Sequence, residues 1–475
     1  MSDSFDIPVF VRCDSPLKPE RRPPKSWIDH VANPWPVKGD VPPSGGYLVP
    51  SMWREAIDAA MTVGRDPFAW LAAVPALAWS EIIARRSPLR AYLQRTPHPA
   101  GLPGIAGHRL VPNVVYQEGT EKTARALFAY RIGMTMAEWA CRGLLGLGPT
   151  VHAEAIRPPG AGPGWDPAGG LPDLVGLHWR TPATWLVEAK GARRAGLREL
   201  AKGALQLASA GLISGPHARV LCGTSIEDRV FMTIDIEMAS GTAYRPAPMP
   251  GSRRPGPDED DAELLDLARS RMLTYYALRA LPRQALAIRP VGPAVTYDRR
   301  EDRPMNLVLP LENDESTRAE RAIAQDRAAY ERRPPSSRLD MLSGRVPGTD
   351  IIIGMSRRLF ATCQGLAALQ AQLLQSVDQD LPAPAEDESI SRDEGATEER
   401  MRNRRSLLAE READMYEFLA DTGRRAYEAG RESSWQQLLD TSPPLVTTQS
   451  ANLLESATPD TYLAIDASTP ITTAQ

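Results

Sequence analysis

Between Leu171 and Gly191 the chain reads LPDLVGLHWRTPATWLVEAKG. Asp173 heads one apolar run, and Glu188 and Lys190, two residues apart, close the next. Side chains alternate along a strand, so Glu188 and Lys190 share one face while Trp185, Val187 and Ala189 point to the other. A turn around Arg180 to Pro182 folds the two runs into an antiparallel hairpin. Centred between Arg180 and Thr181, it opposes Asp173 to Glu188, with Cβ atoms roughly 4.5 to 5.5 Å apart. A slip of one residue sends Asp173 to the opposite face and dissolves the grouping.

Two ionised carboxylates at that separation repel unless a cation lies between them. Mg²⁺ suits such a place: it prefers oxygen ligands, keeps several waters and uses one or two carboxylates together with phosphate oxygens. A bound metal lowers the pKa of a water and neutralises charge on a phosphate. Lys190 would orient or deprotonate that water, or stabilise the developing charge. The chemistry implied is phosphodiester hydrolysis. The competing reading is a set of strand-end charges in which Glu188 and Lys190 form a weak surface pair.

The elements around the hairpin must hold these groups. EGTEKTARALFAYRIGMTMAEWACRGLLGLG, from Glu118, is helical; Gly133 interrupts it and Thr135 can cap a fresh start, so it reads as one kinked helix or two. TVHAEAI, Thr150 to Ile156, alternates as a strand, and a Gly/Pro loop delivers the chain to the hairpin. GLRELAKGALQLASAGLI is an amphipathic helix, and ARVLCGTSI and RVFMTIDIEM are strands rich in β-branched residues. The order is helix, strand, loop, strand, strand, helix, strand, strand, a compact α/β arrangement.

Pro172-Asp173, followed after fourteen residues by Glu188-Ala189-Lys190, resembles the PD-(D/E)xK nuclease superfamily, which includes type II restriction enzymes, Holliday junction resolvases and many phage-defence nucleases. The likeness runs from Glu118 to Glu237 and includes the order helix, three strands, helix, strand. It implies a restriction-endonuclease-like α/β core (αβββαβ, a mixed central sheet flanked by helices), with Asp173, Glu188 and the Ala189 carbonyl on the metal and Lys190 in catalysis. By the same likeness, Glu138 on the first helix is a further metal ligand and Gln206 on the second holds water or phosphate. Thr135 to Glu138 is equally a capping box, in which the glutamate folds back on a helix N-terminus; Glu118, Glu121 and Glu154 are the substitutes for Glu138. The cofactor expected is Mg²⁺, with Mn²⁺ as its substitute. Nucleic acid is the expected partner, DNA rather than RNA, in a restriction or phage-defence setting. The alternative is a catalytically inactive nuclease-fold module that binds nucleic acid or scaffolds a complex.

Charge near the hairpin agrees with a phosphate partner. Arg193, Arg194, Arg198 and Lys202 form a basic strip that would hold a nucleic-acid backbone in a salt-dependent manner; its bland reading is a solvated helix face. The formal net charge of −4 argues against a uniformly basic coat. No P-loop ending follows the Gly-rich segment at 160–170, no HExxH or GxSxG occurs, and six scattered histidines form no zinc cluster. The four cysteines lack CxxC spacing, as expected of free thiols in a reducing cytosol. No apolar run long enough to span a membrane and no signal-like N-terminus is seen, so a cytoplasmic protein is expected.

With 475 residues the chain exceeds one typical core. The organisation expected is an extended N-terminal arm (1–50), an N-terminal helical segment (51–110), the nuclease core (111–240), a linker (241–262), a mostly helical accessory domain (263–378), an acidic linker (379–400), C-terminal helices (401–440) and a disordered tail (441–475). The C-terminal region is expected to meet a protein partner or a second copy.

Overall fold

The computed structural model describes residues 4–13, 16–19, 22–64, 71, 74–158, 160–166, 170–177, 184–209, 211–215, 217–238, 257–290, 340–381, 394–440 and 453–466. The N-terminal run SFDIPVFVRC forms strand β1 (Ser4–Cys13), and its alternate residues Phe5, Ile7, Val9 and Val11 are wholly buried. Helix α1 (Lys25–His30), strand β2 (Gly45–Met52), helices α2 (Trp53–Thr62) and α3 (Leu77–Tyr92), and strands β3 (Leu93–Pro97) and β4 (His108–Pro112) follow. Next come helix α4 (Lys122–Gly143), the short strand β5 (Val151–His152), strands β6 (Leu174–Leu177) and β7 (Thr184–Ala192), helix α5 (Leu197–Leu207), and strands β8 (His217–Ile226) and β9 (Val230–Met238).

These nine strands make one mixed sheet in the order β3-β4-β1-β9-β8-β7-β6-β5, with β2 paired to β1. Strands β5, β6 and β7 are antiparallel neighbours, β7 and β8 run parallel, and β8 and β9 are antiparallel. Helices flank both faces. On one, α4 buries Ala129, Ile132, Met136 and Ala140 in the same apolar cluster as Trp185, Val187 and Ala189. On the other, Leu200, Ala204 and Leu207 of α5 pack on Leu186, Val175 and Leu221.

The second half of the chain supplies helix α6 (Pro257–Ala280), strands β10 (Leu286–Pro290), β11 (Asp340–Arg345) and β12 (Ile351–Ser356), helices α7 (Arg357–Asp380), α8 (Glu394–Asp414), α9 (Tyr416–Glu432) and α10 (Trp435–Leu439), and strands β13 (Leu453–Ala457) and β14 (Thr461–Asp466). Its sheet is antiparallel, in the order β10-β11-β12-β14-β13. The two halves share an apolar core. Across them, the Trp79 indole N–H donates to the Ala277 carbonyl at 3.0 Å, Asp350 receives Arg86 and Arg90, and Arg271 donates to Asp58 at 2.6 Å. Two arginines, Arg271 and Arg142, hold the buried Asp58 carboxyl far below its ordinary range against the opposing cost of burial.

The α/β arrangement expected from the sequence is present, but several boundaries are not. Residues 1–50 are not an extended arm. Their proline content hides the alternating apolar run of β1, which lies inside the sheet and pairs with β2, β4 and β9. The core therefore does not begin at 111, and the segment 51–110 is helical only as far as Tyr92 before it adds β3 and β4. Residues 263–378 carry strands β10 to β12 beside their helices, and the segment expected to be a disordered tail forms β13 and β14, in which Tyr462, Leu463, Ala464 and Ile465 are buried. Both misreadings involve strands whose partners are distant in sequence. Thr150 to Ile156 is a strand only at Val151–His152, before a single 3-10 turn at Ala153–Ala155. Most of the linker at 241–262 and of the acidic linker, and residues 291–339 of the accessory domain, lie outside the described residues.

Candidate functional site

Register decides whether the grouped charges meet. Leu174 pairs with Val187, Val175 with Leu186 and Gly176 with Trp185; continued by one step, this places Asp173 opposite Glu188. The hydrogen bonds agree. The Asp173 N–H donates to Glu188 Oε2 at 3.1 Å, and the Ala189 N–H donates to Asp173 Oδ2 at 2.8 Å. The Asp173 carbonyl in turn accepts from the Ala153 N–H at 3.2 Å and from His152 Nδ1 at 3.4 Å. Residues 178–183, where the turn was expected, lie outside the described residues.

Lys190 extends along the same face. Its ammonium donates to Glu188 Oε1 and, at 3.1 Å, to Gln206 Oε1 on α5, while the Gln206 amide donates to the Leu171 carbonyl at 3.4 Å. The Glu188 side chain is fully buried, whereas that of Lys190 keeps a quarter of its surface exposed. The group thus opens to solvent at its cationic end.

Glycines set the approach of both helices. A Cβ on Gly203 of α5 would lie 2.5 Å from Leu221 Cδ1, 3.1 Å from Glu188 Cγ and 3.3 Å from Lys190 Cε. On the other face a Cβ on Gly133 of α4 would lie 2.7 Å from the Gly191 nitrogen. Gly133 does not break α4, which is continuous from Lys122 to Gly143; it lets the helix touch the end of β7.

The carboxylates are poised against ionisation. Burial is the largest cause lifting the Glu188 pKa, to about 7, with the Asp173 charge adding to it and Lys190 opposing. Burial likewise raises Asp173, against the Ala189 N–H and the Lys190 charge. One proton shared by the pair relieves their repulsion; a divalent cation would do the same.

Glu138 sits apart. Its carboxylate accepts from the Thr150 hydroxyl at 2.6 Å, the Thr150 N–H at 3.1 Å and the Thr62 hydroxyl at 3.1 Å, with Arg142 at 3.8 Å. Because α4 starts at Lys122, Glu138 lies in mid-helix and is no capping-box residue either; it braces α2 and the segment before β5. Of its substitutes, Glu118 is exposed in the turn Val115–Gly119 that precedes α4, Glu121 is exposed just before Lys122, and Glu154 pairs with Arg405 at 3.5 Å.

The basic strip is only partly free. Arg194 is tied to Glu227, whereas Arg193, Arg198 and Lys202 are exposed and form no ion pair with a described residue. Arg198 and Lys202 stand one turn apart on α5, and Gln206 follows one turn later, so the strip leads toward Lys190.

Three contributors escaped the sequence reading. Gly203 and Gly191 had a signal, a glycine inside a helical or strand pattern. Tyr130 had none. The pKa of its hydroxyl is raised, chiefly by burial and then by the charges of Asp173, Glu154 and Glu188.

Among the described residues no group of three or more His, Cys, Asp or Glu side chains gathers as a metal cage. Asp173 and Glu188 are a pair. A buried pair whose members both resist ionisation still fits Mg²⁺, which needs only one or two carboxylates and fills the rest of its shell with water and substrate. Compared with models of protein families, with curated proteins and with solved structures, the chain finds no match in any of the three. Among the described residues no helix is long and apolar enough to cross a membrane.

Proposed function

We propose that this protein is a Mg²⁺-dependent nuclease of the PD-(D/E)xK type, hydrolysing phosphodiester bonds in DNA. The observation that carries the reading is the hairpin register, which brings Asp173, Glu188 and Lys190 onto one face and into hydrogen-bonded contact. Support also comes from the order of elements between α4 and β9, which agrees with the restriction-endonuclease-like core that the motif implies.

Asp173 and Glu188 would hold the metal. When bound, the ion supplies charge neutralisation at the phosphate and a water of lowered pKa. Ala189 contributes through its main chain, whose N–H fixes the Asp173 carboxylate. Lys190 is placed to hold a proton or a phosphoryl oxygen at Nζ, and Gln206 orients it from α5. Arg193, Arg198 and Lys202 would take backbone phosphates, with Arg194 contributing less because Glu227 already neutralises it. A cytoplasmic restriction or defence role follows from the family resemblance alone.

The test is incubation of the protein and its Asp173→Ala and Lys190→Ala variants with plasmid, linear and single-stranded DNA and with RNA, in Mg²⁺ or Mn²⁺. Cleavage by the wild type that EDTA and both substitutions abolish supports the reading. Equal activity in all three proteins contradicts it.

A further inference from the structure

A cavity of about 210 Å³ is lined by Glu81 of α3, by Leu127, Tyr130, Arg131 and Met134 of α4, and by His152. Two of these residues join it to the site. His152 Nδ1 reaches the Asp173 carbonyl at 3.4 Å, and Tyr130 follows Ala129, whose carbonyl abuts Gly191, the neighbour of Lys190. Tyr130 is one helical turn before Gly133, the residue that seats α4 on the end of β7.

We infer that this cavity receives one unpaired nucleobase next to the scissile phosphate, so that the substrate is a single strand, flap or bulge rather than uninterrupted duplex. The inference rests on the nuclease reading of the adjoining carboxylates. At about 210 Å³ the cavity has room for one planar ring system. The walls have the matching chemistry. Tyr130 is 50% exposed and Leu127 57% exposed, an aromatic and an aliphatic surface left open at the rim, with Met134 buried behind them. Base–aromatic stacking tolerates any sequence because every base has a π-face. Polar groups also reach the cavity: Glu81, which pairs with Arg85 at 2.6 Å, can accept from an exocyclic amine, and Arg131, which donates to the Ala84 carbonyl at 3.1 Å, keeps further N–H groups for a base carbonyl. A paired base would have to leave its stack to enter, at a cost smallest where it is already unpaired.

The experiment uses the full chain in EDTA with a single-stranded oligonucleotide carrying 2-aminopurine, so that binding is read without cleavage. Quenching of the fluorescence by the wild type, its loss in Tyr130→Ala and its retention in Tyr130→Phe are expected; the exposed position of Tyr130 lets these variants fold. A wild type that leaves the fluorescence unchanged, or a Tyr130→Ala variant that quenches equally, overturns the inference. In Mg²⁺, the rate on a bulged substrate relative to a fully paired one should fall about tenfold in Tyr130→Ala; an unchanged ratio overturns it too. Quenching that depends on Tyr130 in a protein that cleaves nothing would keep the base pocket and refute the nuclease reading instead.

Discussion

Asp173 and Glu188 are each held by the backbone of the other's strand: the Asp173 N–H donates to Glu188 at 3.1 Å, and the Ala189 N–H, next to Glu188, donates to Asp173 at 2.8 Å. This reciprocal arrangement fixes both carboxylates before any cation or substrate arrives. It also forces them together in a buried place, which is why their protonation is linked to stability.

The first prediction follows from that linkage. The folded protein raises Glu188 from an ordinary 4.5 to about 7. A carboxyl raised in the fold contributes stability that is complete below its unfolded pKa and is lost as pH rises through the folded one. Between pH 4.5 and 7 the metal-free wild type should therefore lose more thermal stability than Glu188→Gln does. Mg²⁺ at pH 8 should restore the wild type and leave Glu188→Gln unmoved. Thermal melts across that range measure both, and parallel curves for the two proteins would refute the assignment.

Gly203 is predicted to be intolerant of any side chain. The Cβ of Gly203→Ala would meet Leu221, Glu188 and Lys190, so α5 must shift or the site must yield, at about 1 to 3 kcal/mol for overpacking. Urea denaturation should show the loss, and cleavage should fall with it.

Lys190 and Gln206 should separate into a catalytic and a positioning residue. Lys190→Ala is expected to lower kcat about 10² to 10⁴-fold, the range for a lost proton-transfer group. Gln206→Ala removes the 3.1 Å contact that orients Lys190 and the 3.4 Å contact to the Leu171 carbonyl. It should lower kcat less and leave Mg²⁺ affinity unchanged. Rescue by Gln206→Glu at the level of kcat would fit the same role.

Binding should be salt dependent through α5. If Arg198 and Lys202 each neutralise one phosphate, substituting both by alanine reduces the slope of log affinity against log salt by about 1.8 on a duplex and about 1.4 on a single strand. Arg194→Ala should change it far less, since Glu227 occupies that guanidinium. Binding isotherms from low to moderate salt test this, and equal slopes for all variants would remove α5 from the interface.

Glu138 is predicted to act on stability alone. Glu138→Leu leaves the Thr150 N–H and hydroxyl without their acceptor in a buried setting, at roughly 1 to 3 kcal/mol per unsatisfied group. Denaturation should register that cost, while Mg²⁺ affinity per folded molecule stays the same.

The hairpin was legible because its information is local. Two apolar runs flank a short connection, and the alternation that sends Leu186, Glu188 and Lys190 one way and Trp185, Val187 and Ala189 the other is written in consecutive residues. Gln206 was suggested by the family likeness rather than by spacing, and its contact with Lys190 appears only in the fold. Strand β1 was not, because its place in the sheet depends on β2, β4 and β9, up to the far end of the N-terminal half, and Pro8 disguises it. Strand β14 was hidden in the same way: a Ser/Thr-rich end gains its partner from Ile351–Ser356. Glu138 was misread because Thr62, which takes one of its oxygens, is 76 residues away. Side chains that serve as distant braces leave no periodic trace.

The central claim meets its most direct test in a single-turnover assay on a labelled DNA strand, with wild type and a folded Asp173→Asn variant compared in Mg²⁺ and in EDTA. The account predicts cleavage by the wild type in Mg²⁺ only, and none by Asp173→Asn at any metal concentration. Cleavage by Asp173→Asn at the wild-type rate would contradict it.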